Sequence, residues 1–84
     1  MSEPNKELLR KAILRLLEEN DTRFGLDAQA IATLLPGQGF TIPTSEVQAE
    51  VDMLVDWRFI RVTNRPLDRT RRAFAITAEG RHQL

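Results

Sequence analysis

Eighty-four residues, 42% hydrophobic and 29% charged, describe one soluble globular domain spanning 1–84, with no room for a second. Cysteine is absent, which excludes a disulfide framework and a thiolate metal site. Twelve basic and twelve acidic side chains cancel to a formal charge of zero, so the whole chain carries no net pull toward nucleic acid or an anionic membrane surface. Its apolar runs are a few residues long, far short of the roughly 18 that a membrane span needs. The opening MSEPNKE has an early acid and no apolar signal core, so a cytoplasmic protein is expected.

The first predicted element is a helix. Leu9, Ile13, Leu16 and Leu17 recur at helical spacing, Leu8 and Ala12 widen the stripe, Asn5 is placed to cap it and Asn20-Asp21 to end it. Arg23-Phe24-Gly25 reads as a short connector with room for one ladder position. A second helix opens at Asp27, a capping residue, with Leu26 positioned to staple onto Ile31. Ala30, Ile31, Leu34 and Leu35 give it an apolar face, and Pro36-Gly37 ends it. The stretch from Pro36 to Pro43 then reads as an eight-residue loop.

A third helix is expected from Thr44, taken as its cap, with Val47, Val51, Leu54 and Val55 as the core stripe. Trp57 and Phe59 are expected to close the core at its end. Beyond them the period changes to two: Ile60 and Val62 alternate with Arg61 and Thr63, and Phe74 and Ile76 with Ala73 and Ala75. The polar, turn-rich Asn64–Thr70 joins these two strands into a β-hairpin. Thr77 then caps a short final helix running into Arg81 and Leu84.

Charge is segregated along this order. Residues 1–25 hold five bases and five acids; residues 26–57 hold no base and five acids; residues 58–84 hold seven arginines and two acids. The three parts carry 0, −5 and +5, an asymmetry that concerns partners rather than fold.

The run SEVQAEVDMLVDWRFIRV followed by RRAFAITAEGR resembles the winged helix-turn-helix superfamily of bacterial regulators. There the second helix of the motif ends in Leu-x-x-x-Gly-Leu-Ile/Val, leads into a hairpin wing, and returns through Tyr-x-Leu-Thr-x-x-Gly. Leu54, Phe59 and Ile60 match the first signature, and Phe74, Ile76, Thr77 and Gly80 the second. The resemblance covers nearly the whole chain. In length, and in the loop before the third helix, the chain looks similar to the small winged-helix proteins of Mu-like phages and prophages. Two departures stand out: Arg58 occupies the position of the family's glycine, and the loop from Pro36 to Pro43 is longer than the three or four residues of a compact helix-turn-helix.

The resemblance implies an α+β winged helix, a three-helix core with a two-stranded hairpin wing and a short C-terminal helix. It also implies a small duplex-DNA-binding protein acting in transcriptional control. Arg65, Arg69, Arg71 and Arg72 lie on or beside the hairpin tip, where guanidinium groups would replace counterions along a phosphate backbone. The same arginines would equally solubilise an exposed ribbon and discourage edge pairing. Thr44 and Ser45, at a helix start, are placed to hold a phosphate, and Gln48 to read a base edge.

The third helix argues against base reading. Its outward residues are Ser45, Glu46, Ala49, Asp52, Met53 and Asp56, with Gln48 and Glu50 on the flanks: four acids and no base. A competing reading is a protein-interaction or assembly module whose contact face is Glu46, Ala49, Asp52, Met53 and Asp56, docking a basic partner or a second copy. A homodimer stays open at this stage.

Catalysis is not expected. His82 is the sole histidine and has no companion for a metal, Gly37-Gln38-Gly39 lacks the lysine of a phosphate-binding loop, and the chain is too small to wall a cleft around paired carboxylates. No cofactor and no small-molecule substrate is implied.

Overall fold

The computed structural model describes residues 6–20, 25–65 and 68–84, leaving aside the side chains of 64, 65 and 68–71. The proposed cap Asn5, the helix end at Asp21, and Arg23 and Phe24 of the connector lie outside the described residues.

Helix α1 spans Lys6–Glu19 and buries Leu9, Ala12, Ile13, Leu14, Leu16 and Leu17. Leu8, expected in the stripe, is 55% exposed, and Leu14 is buried in its place. The reason is that α1 is covered on two sides, so its buried arc is wider than one stripe and centred away from Leu8. Strand β1, Leu26–Asp27, follows Gly25 and is the ladder position anticipated at the connector, displaced to the residues after it. Gly25 sits at φ +71, and a Cβ there would meet the Phe74 carbonyl oxygen at 2.1 Å. Only glycine lets the chain pass so close to β3.

Helix α2 spans Ala28–Leu34, with the Asp27 side chain accepting from the Ala30 amide at 2.7 Å, as its capping pattern predicts. Pro36 does not start a loop: the chain continues as a 3-10 turn over Leu35–Gln38 and stops at Gly39, φ +90. A proline in a first turn has no amide to lose there, so the turn absorbs Pro36–Gln38 of the expected loop. Leu35 is fully buried, whereas Leu34 is 39% exposed because the tightened turn rotates it out of the face assigned to it. Phe40 and Ile42 pack back against the core.

Helix α3 spans Thr44–Asp56 and buries Val47, Glu50, Val51 and Leu54; Val55 is half-buried. Its cap is Pro43, not Thr44, and no side chain caps it. A proline fixed near φ −70 already delivers the chain in the extended geometry a cap requires, so Thr44 becomes the first helical residue. The C-terminus closes with two reverse bonds, Phe59 N–H to Leu54 O at 3.0 Å and Arg58 N–H to Val55 O at 2.9 Å. That is the Schellman pattern, and it places Arg58 at φ +64.

Strands β2 (Ile60–Arg65) and β3 (Asp68–Ile76) form the expected hairpin, and β1 adds to the other edge of β3, giving the order β1-β3-β2. Ile60 pairs with Ile76, Val62 with Phe74 and Asn64 with Arg72; the register shifts after Asn64, and Arg65 pairs with Asp68. Strand pairing therefore invades the Asn64–Thr70 link. Helix α4, Ala78–Arg81, is capped by Thr77.

The core is one cluster joining α1, α2, α3 and the root of the hairpin, with Phe74, Ile13, Leu17, Ile31 and Val51 all but inaccessible. Burying a residue such as Phe74 contributes about 1.5–3 kcal/mol. Three helices around a ribbon of antiparallel strands make a winged helix, with a third short strand added to the expected two.

Candidate nucleic-acid interface

Each candidate site residue follows from the element that carries it. Thr44 and Ser45 are exposed at the first two positions of α3. The Pro43 carbonyl takes the Glu46 and Val47 amides at 3.0 and 3.2 Å. Helix starts leave their first amides without intrahelical partners, and at α3 no side chain makes a cap bond. The start of α2 differs: the Asp27 carboxylate already occupies it and repels a phosphate.

Gln48 is half-buried, and its amide donates to Asp52 Oδ1 at 2.8 Å, so its donor serves α3 itself rather than standing free. Ser45, Glu46, Ala49, Asp52 and Asp56 are exposed as expected, with Met53 half-buried. Glu50 departs from expectation. It is only 7% exposed, and its Oε1 accepts from Arg10 Nε at 2.8 Å. The Arg10 guanidinium also lies 4.9 Å from the Trp57 ring centroid, and Trp57 meets Phe59 edge-on at 5.9 Å. The acidity that α3 shows to solvent is thereby reduced from four carboxylates to Glu46, Asp52 and Asp56.

Trp57 does not close the core: it is 46% exposed, while Phe59 packs inward. The Schellman turn aims the residue after the helix, Phe59, at the core and leaves the cap residue on the rim. Nothing in a one-dimensional pattern signals that Arg10, forty positions away, would neutralise Glu50.

On the wing, Arg72 is exposed and sits opposite Asn64. Arg65 lies in β2 and Arg69 and Arg71 in β3, with their side chains outside the described set. Arg61, absent from the expected site, is exposed on β2. Its partner in register is Ala75, whereas Arg72 shares the parity of Phe74 and Ile76, so Arg61 and Arg72 stand on opposite faces of the ribbon. The sequence alternation set Arg61 outward between Ile60 and Val62; Ile60 is buried, but Val62 is 40% exposed and Thr63 is buried instead.

Among the described residues there is no group of three or more His, Asp or Glu side chains placed to hold a metal ion, and no helix is long and apolar enough to cross a membrane. His82 is exposed.

No protein-family model and no curated protein matches the chain. Among solved structures it is similar to Bacillus subtilis PadR in complex with operator DNA, at 28% identity and a TM-score of 0.67, over 90% of this chain and 44% of that one. The chain thus spans less than half the length of that protein.

Proposed function

We propose that this winged helix binds duplex DNA and acts in transcriptional regulation, gripping phosphates through its wing and through the start of α3. The observation that carries the reading is the likeness, across 90% of the chain, to a regulator solved on its operator. Supporting it are the start of α3, where Thr44 and Ser45 are exposed and no side chain makes a cap bond, and the arginine content of the wing, Arg65, Arg69, Arg71 and Arg72. Base reading plays a small part: α3 offers no arginine or lysine to a guanine edge, and the Gln48 amide is held by Asp52. Affinity would therefore exceed sequence discrimination.

A second reading has its own observation. Ala49 is exposed and Met53 half-exposed among the carboxylates of Glu46, Asp52 and Asp56, a face suited to a basic protein partner. Duplex-DNA binding, measured for the native chain and for two double variants, separates the readings. Arg69→Ala with Arg71→Ala is expected to weaken binding, and Glu46→Gln with Asp52→Asn to strengthen it. A native chain that fails to bind duplex DNA even at low salt would transfer the assignment to the interaction module.

A further inference from the structure

Gln48 and Asp52 stand one helical turn apart on α3, and the Gln48 amide nitrogen donates to Asp52 Oδ1 at 2.8 Å in a bond that lies at the surface. A carboxylate only accepts, so it fixes which end of the amide it meets. Turning the amide over would set its carbonyl oxygen against a negatively charged one, and that orientation is thereby removed. The nitrogen carries two hydrogens, of which this bond uses one. The hydrogen farther from the Gln48 carbonyl is favoured for it, because that choice keeps the two oxygens apart. What is left is one edge of the amide on which an N–H and a carbonyl lie side by side.

That edge matches one base. In the major groove adenine alone carries an acceptor beside a donor, N7 next to the N6 amino group. Guanine shows two acceptors, thymine an acceptor and a methyl group, and cytosine a donor. No arginine or lysine stands between Thr44 and Asp56 to impose a guanine preference instead. Gln48 also lies four residues, about 6 Å along the axis, inside the helix start assigned to phosphate contact. On the footing of the DNA-binding reading, we propose that Asp52 is a positioning residue, which holds the Gln48 amide in the orientation that reads adenine at a single base pair. Its carboxylate lowers affinity for phosphate and supplies selectivity in exchange.

Duplexes selected by the native chain from a random library, then measured by fluorescence anisotropy, supply the test. Native binding is expected to require adenine at one position and to weaken about tenfold when its A·T pair becomes G·C. A similar loss is expected when 7-deazaadenine, which lacks the N7 acceptor, replaces that adenine. Gln48→Ala should bind all three duplexes within about twofold of one another. Asp52→Asn removes a charge and lets the amide turn over, so affinity should rise while the adenine preference falls to about threefold or less. Removing a charge that merely repelled phosphate would raise affinity and leave the preference untouched. Circular dichroism confirms that both variants are folded. A native chain that binds duplexes without an adenine preference, or an Asp52→Asn variant that keeps it in full, overturns the proposal and leaves the DNA-binding reading intact. Failure to bind any duplex at low salt overturns both.

Discussion

Arg58 is the one described non-glycine residue at positive φ, +64. A side chain in that region costs about 1–2 kcal/mol, and the structure holds it there with the Schellman bonds and with the Thr77 hydroxyl donating to the Arg58 carbonyl at 2.6 Å. Arg58→Gly is therefore expected to raise stability by roughly 0.5–1 kcal/mol, after allowing for glycine's larger chain entropy, as read from urea midpoints. A lower midpoint would show that the guanidinium itself stabilises the turn. The sequence exposed this site as a departure from the family glycine, but not its outcome, since a turn can also be made by changing register.

The Arg10–Glu50 pair is the opposite case, silent in the sequence. Its two side chains are 22% and 10% exposed, so solvent screens it partly and the cost of breaking it is moderate. Arg10→Met leaves the buried Glu50 carboxylate without this partner and is expected to cost about 1–2 kcal/mol. Adding Glu50→Gln to Arg10→Met should recover part of that loss, because the uncompensated charge is gone. Thermal denaturation of the single and double variants gives the comparison; equal midpoints would mean that Glu50 finds another partner.

Among elements, helices were easier to read than their ends. The apolar spacing in α1 and α3 follows from burial against one core, and burial is what periodicity records. Ends depend on local bonding: Pro43 rather than Thr44 caps α3, and Pro36 sits inside a 3-10 turn. Strand β1 was only half legible, since two residues of ladder leave no alternation to detect. The return signature from Phe74 to Gly80, met first as a resemblance, has a physical basis. Thr77 Oγ1 accepts from the Gly80 amide at 3.1 Å, and a Cβ on Gly80 would meet the Phe59 carbonyl oxygen at 2.1 Å.

Glycines thus divide into two kinds. Gly80→Ala and Gly25→Ala are each expected to destabilise by about 2 kcal/mol or more, because backbone blocks the added methyl. Gly37→Ala, with nothing within 4 Å, is expected to be neutral or slightly stabilising. Chemical denaturation of the three variants should separate them cleanly, and a neutral Gly25→Ala would refute the close passage of β1 along β3.

At the scale of the whole molecule, charge that cancels in sum is segregated along the chain: residues 26–57 hold five acids and no base, residues 58–84 seven arginines and two acids. The segregation was plain from residue order alone, whereas the number of acids left facing solvent was not, because it hinged on the packing of α1 against α3 at Glu50. If the four wing arginines each displace one counterion, the logarithm of affinity for duplex DNA should fall with the logarithm of salt with a slope of about −3.6. Each arginine replaced by alanine should lower the slope's magnitude by roughly 0.9, measured by fluorescence anisotropy across a salt series. A slope near zero would place the binding elsewhere than on phosphates.

Asp27 serves two elements at once, pairing with Ala73 in the sheet while its carboxylate seals the start of α2. The ribbon's root is therefore tied to the helical body through a single residue. If the chain grips DNA as proposed, the wing and the helices would then meet it as parts joined through this one residue.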